Sequence, residues 1–159
     1  MLETAFYKFS EIERYPIEDV IAQAQAKKRP IHVVLTWGTL DAESCWGTGK
    51  TLRAVVLSDA QVIKLLNKHY VSVFLLLRDL PELQNGTKGD QASKLATRVA
   101  EAYEKTLTHN PDHSVHSFVL SLQLELIGHL PYLTSNESYM NKKRYYTFLL
   151  DALETVKRH

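Results

Sequence analysis

The chain has 159 residues, 45% of them hydrophobic and 23% charged, with a net charge of +1. That length suits one domain with a buried core, and the even charge balance disfavours nucleic acid or an anionic membrane as a partner. A single cysteine, Cys45, excludes an intrachain disulfide framework.

The elements follow in chain order. The N-terminus, MLETAFYKFS, has neither the basic flank nor the apolar core of a signal peptide. The expectation is a cytosolic protein if the chain is complete, or otherwise a piece of something longer. Pro16-Ile17-Glu18-Asp19 opens a helix: proline suits the first turn and the acids suit the positive end of the dipole. Ile17, Val20, Ile21 and Ala24 share one face, Lys27-Lys28-Arg29 close the helix, and Pro30 stops it. Ile31 to Trp37 is β-branched and apolar, a buried strand. Helical signals resume after Gly49, and Ser58-Asp59 reads as a turn and cap before Val62, Ile63, Leu65, Leu66 and Tyr70.

Val71 to Leu77 is the second buried strand, too short to cross a bilayer, so no membrane segment is expected in this chain. Arg78 to Gln91 reads as a polar loop. Ala92 to Thr106 is a helix with Leu95, Val99, Ala102 and Tyr103 inward. Phe118 to Leu122 and Leu124 to Leu130 read as strands of a hairpin, and Tyr139 to Lys157 as a helix burying Tyr145, Phe148, Leu149, Leu153 and Val156. The first two strands, joined through a helix, should be parallel, and the last two antiparallel. The resulting fold class is α/β, a mixed central sheet flanked by helices. This is the order of a thioredoxin-like fold with an extra helix in front, spanning residues 1–159 as one domain.

The chemistry centres on Ser44 to Thr51, SCWGTGKT. Gly49-Lys50-Thr51 matches the tail of a phosphate-binding loop, but that loop needs glycine at position 44, which is serine, and a strand running straight into it. The strand ends near Trp37, so the match fails its context. A thiol site fits better. A cysteine at the start of a helix is stabilised as thiolate by the N-terminal N–H groups and the dipole, and Lys50 adds a cation. The alternative for Cys45 is a small buried hydrophobe.

Pro30-Ile31-His32, Leu35-Thr36-Trp37-Gly38-Thr39-Leu40-Asp41 and Ser44-Cys45-Trp46-Gly47-Thr48-Gly49-Lys50-Thr51-Leu52-Arg53 together resemble the redox region of selenoprotein N. That family's pattern is close to K-P-h-H, L-L-W-G-A-L-D and S-C-U-G-S-G-R-T-L-R, where h is hydrophobic and U is selenocysteine. The similarity is dense in this stretch and sparse elsewhere, at Leu65-Leu66-Asn67, Leu80 to Gln84, Ser138-Tyr139-Met140 and Phe148-Leu149.

The resemblance implies a thioredoxin-like redox domain facing the endoplasmic reticulum lumen, in a membrane glycoprotein tied to calcium homeostasis. It implies thiol–disulfide or selenol exchange with a protein thiol, a protein disulfide or glutathione as partner, a calcium-handling membrane protein as a further partner, and no cofactor. Cys45 falls on the family's cysteine and Trp46 on its selenocysteine; Gly47, Gly49, Lys50, His32 and Trp37 support the site. Tryptophan supplies neither nucleophile nor resolving group, so the chain as written is expected to be a weak or inactive reductase. Selenocysteine is encoded by UGA and tryptophan by UGG, which leaves three origins for Trp46: a true tryptophan, a misread codon, or a codon changed for production. The alternative function is a non-enzymatic thioredoxin-like module that binds a protein partner.

A second departure is the absence of proline immediately before Val115-His116-Ser117-Phe118, where such folds usually carry a cis-proline; Pro111 comes several residues too early. His109, Asp112, His113 and His116 form a cluster that metal sites use, but no cysteine lies nearby and Pro111 breaks any helix, so a solvated turn is expected and no metal. His32 has two readings, tuning Cys45 or packing in the strand. Asn85-Gly86-Thr87 and Asn136-Glu137-Ser138 fit the glycosylation sequon, a short pattern that chance also supplies.

Overall fold

A four-stranded mixed sheet in the order β2-β1-β3-β4 organises the molecule, a computed structural model that describes residues 12–36, 59–107, 115–130 and 138–158. Its strands are β1 (Ile31–Thr36), β2 (Val71–Leu76), β3 (Val115–Leu120) and β4 (Leu126–Leu130). The helices are α1 (Ile17–Lys27), α2 (Ala60–His69), α3 (Leu80–Gln84), α4 (Asp90–Leu107) and α5 (Ser138–Lys157). β1 and β2 run parallel with Ile31 beside Val71, and β3 runs antiparallel to both β1 and β4. This α/β arrangement is that of a thioredoxin-like fold, as the order of elements leads one to expect.

Alternation along the strands divides the core in two. Ile31, Val33 and Leu35 of β1, with Val71, Val73, Leu75, Phe118 and Leu120, pack against α1, α3 and α4 through Val20, Leu83, Leu95 and Val99. Val34 and Val119 point to the opposite face and pack against α2 and α5 through Val62, Leu66, Tyr145 and Leu149. β1 is paired on both edges and covered on both faces, which is why its sequence is a nearly unbroken apolar run. Short of β2's outer edge lies the incoming chain, where the Tyr15 N–H donates to the Ser72 carbonyl at 3.0 Å.

Local chemistry sets the element ends. Asp59 caps α2, its carboxylate accepting from the N–H groups of Gln61 and Val62 at 3.1 Å each. Lys28 ends α1 in the left-handed region (φ 54°), and the Arg29 N–H donates back to Ala24 O at 3.1 Å.

Two expectations change. Arg78 to Gln91 is not a loop throughout: a 3-10 turn (Leu77–Asp79) and α3 occupy its first half, because Leu80 and Leu83 bury against the core on one helical turn. Left-handed Gly86 and Gly89 then separate α3 from α4, which begins at Asp90. The hairpin strands also depart from their expected bounds: β3 begins at Val115 rather than Phe118 and ends at Leu120, and β4 begins at Leu126 rather than Leu124. Residues 121–125 form the turn, where Ser121 Oγ accepts from the N–H groups of Gln123 and Glu125, and Leu124 turns left-handed (φ 64°) yet stays buried. An apolar residue can serve a turn when the turn itself packs on the core.

Candidate functional site

The central strand β1 ends at Thr36, which pairs with Leu76 of β2 and Val115 of β3. Trp37, Cys45, Trp46, Gly47, Gly49 and Lys50 follow it in sequence and lie outside the described residues, as does Asn136. Asn85 is exposed at the C-terminal end of α3. His32 lies on β1, fully buried.

His32 is the centre of a buried polar chain that ties three strands to α5. Its Nδ1 is 3.1 Å from Ser72 Oγ on β2, and its Nε2 is 2.7 Å from the Tyr145 hydroxyl on α5. That hydroxyl is in turn 2.7 Å from Ser117 Oγ on β3. Register explains the convergence: His32 pairs directly with Ser72, and Ser117 pairs with Val34, one position further along the same face of β1. Each ring nitrogen has a partner, so a neutral imidazole is satisfied, one nitrogen donating and the other accepting. Burial holds the ring's pKa down to about 3, so His32 is neutral at physiological pH. Burial likewise pushes the Tyr145 and Tyr70 phenols above their ordinary value, and the Tyr70 hydroxyl donates to Leu149 O at 2.6 Å. This chain locks α5 to the sheet without a charge.

A second cluster occupies the opposite face at the end of the sheet where β1 finishes. His116 on β3 pairs with Leu35, is buried, and stands 3.0 Å (Nδ1 to Nε2) from half-buried His129 on β4. The Tyr103 ring from α4 meets His116 edge-on at 5.1 Å, and Phe118 lies against both imidazoles. Of the histidine cluster noted in the sequence, His116 alone is among the described residues; it is a strand residue rather than part of a turn. Among the described residues no three potential metal ligands gather at one point, and no helix is long and apolar enough to cross a membrane.

Sequence reasoning missed Ser72, Ser117 and His129. The available signal was polarity on inward strand positions: serine inside VSVFLL and VHSFVL, and histidine in LIGHL, each in a mostly apolar run.

Comparison with known proteins bears on the family. The chain is 37% identical to selenoprotein N of Homo sapiens over 102 residues, which is 64% of this chain and 17% of that protein. It is 36% identical to selenoprotein N of Danio rerio and 35% identical to that of Mus musculus, each over 102 residues. Over that stretch the chain is a homologue of selenoprotein N. It spans less than a fifth of the length of these selenoprotein N relatives, and no family model matches it. The resemblance of the chain to selenoprotein N therefore stands.

Proposed function

We propose that this chain carries out thiol–disulfide exchange, with Cys45 as its redox group. The observation that carries the reading is the agreement of fold with kinship. A thioredoxin-like sheet sends its central strand into the segment that holds Cys45, in a homologue of selenoprotein N. In this reading the Cys45 thiolate attacks a protein disulfide or glutathione disulfide, and Lys50 favours the thiolate. Gly47, Gly49 and Trp37 support the site by analogy with the family. Trp46 stands where the family places selenocysteine, so Cys45 forms a mixed disulfide but lacks a neighbour to resolve it. The endoplasmic reticulum lumen as compartment, a calcium-handling membrane protein as partner, and glycans on Asn85 and Asn136 complete the proposal by analogy with the family.

Trp46 also favours a second reading, a thioredoxin-like module that binds a protein through this surface. The rate of Cys45 alkylation between pH 5 and 9 separates the two. A midpoint well below the usual thiol value near 8.5 supports exchange chemistry. A thiol that stays unreactive across the range favours the binding module. The mass of the tryptic peptide carrying positions 45 and 46, taken from natural material, decides whether selenium replaces the tryptophan.

A further inference from the structure

Three helices end at the pole of the sheet where β1 and β2 begin, and each ends in two basic residues. Lys28 and Arg29 follow α1, Lys68 and His69 close α2, and Lys157 and Arg158 end α5. Packing brings these ends together. Ile31 and Val71, the first residues of β1 and β2, are paired, and the Val71 N–H donates to Pro30 O at 3.0 Å. Arg29 Nη1 donates to Asn67 O at 3.0 Å, which holds the guanidinium against the last turn of α2. α5 packs beside α2 through Tyr145 and Leu149, and the charge at its end reaches His69. Partial burial, then the charges of Lys68, Arg29 and Lys157, lower the His69 pKa below its ordinary value.

A helix C-terminus carries about half a negative charge, which a single cation offsets. The second basic residue at each end goes beyond that need. Two acids border the group. The Glu13 N–H donates to Asn67 Oδ1 at 2.8 Å, and the Glu154 carboxylate lies 3.7 Å from Lys157 Nζ. Among the described residues, no carboxylate forms an ion pair with Lys28, Arg29, Lys68 or His69. Lys28, Lys68, His69, Lys157 and Arg158 are exposed, so the charges stand on an open surface. A single small anion on such a surface stays hydrated and meets few groups. A chain that bears several carboxylates meets several cations at once, and each weak contact raises the effective concentration of the next.

We propose that this basic pole is a docking surface for an acidic segment of a partner protein. It draws on no chemistry of Cys45 and lies at the opposite end of β1 from Thr36. His69 gives the docking a proton dependence. Carboxylates set against its ring favour the imidazolium, so docking takes up a proton and tightens as pH falls from 7.5 to 6, a range in which glutamate stays ionised.

The test uses the full chain, labelled hexaglutamate as the probe and hexaglutamine as its uncharged control. Fluorescence anisotropy should show binding of hexaglutamate alone, weakened by added salt. Replacing two exposed cations of the pole together, Lys68→Gln with Lys157→Gln, should weaken it about tenfold. The same loss of charge elsewhere should leave it unchanged: Arg78→Gln in the turn after β2, with Lys143→Gln about 21 Å along α5 from Lys157. In the unaltered chain, the ring resonances of His69 should titrate at higher pH when hexaglutamate is bound, and His69→Gln should remove the pH dependence of binding. Absence of binding, or equal weakening by the two double variants, would overturn the proposal, the latter because net charge alone would then be at work. Displacement of hexaglutamate by an equal concentration of inorganic pyrophosphate would overturn it in favour of a phosphate site. Tighter binding to phosphatidylserine vesicles than to hexaglutamate would overturn it in favour of a membrane surface.

Discussion

Lowering the pH from 7 to 5 should destabilise this protein through one residue. His32 is neutral in the folded state because burial holds its pKa near 3, whereas in the unfolded chain it titrates near 6.5. Between these values the unfolded state binds more protons, so the stabilisation is complete above the unfolded value and is lost as pH falls below it. Linkage gives a loss of about 2 kcal/mol between pH 7 and pH 5 from this group alone. The figure hardly depends on the folded value provided that it lies well below 5. The assay is urea unfolding of the wild type and of His32→Gln at both pH values, with the other titrating groups common to the two proteins. The variant should be less stable at pH 7, because glutamine cannot reproduce both bonds to Ser72 and Tyr145. Its stability should nevertheless fall by about 2 kcal/mol less than that of the wild type on acidification. Equal losses in the two proteins would refute the reasoning, since His32 would then be protonated in the fold or already uncoupled from it.

Further outcomes follow from the same contacts. Tyr145→Phe keeps the ring but strips the hydroxyl that meets His32 and Ser117, and should cost about 1–3 kcal/mol by chemical denaturation while leaving the acid sensitivity in place. Asp59→Ala removes the cap that accepts from Gln61 and Val62, and should cost about 1 kcal/mol with a matching drop in melting temperature. Lys28→Gly relieves a left-handed residue at the end of α1, and should stabilise by about 0.5–1 kcal/mol; a destabilised variant would show that Lys28 is not held left-handed in solution.

Much of this architecture is readable from one-dimensional pattern. Apolar runs marked β1 and β2, helical periodicity marked α4 and α5, and Asp59 announced the start of α2, because burial and capping are local consequences of residue type. The short helix α3 escaped notice because two leucines make too brief a period, and the hairpin turn because Leu122 and Leu124 look like strand residues. The cysteine motif, too, is a property of sequence, and the chain's kinship with selenoprotein N needs no coordinates.

The polar clusters are different. His32, Ser72, Ser117 and Tyr145 come from four elements, and nothing along the chain says which inward polar groups will satisfy one another. His116 and His129 are thirteen positions apart and meet only through the register of β3 and β4. A burial preference belongs to each residue and can be read singly. A hydrogen bond between distant residues belongs to the pairing of strands, which exists only once the sheet has closed.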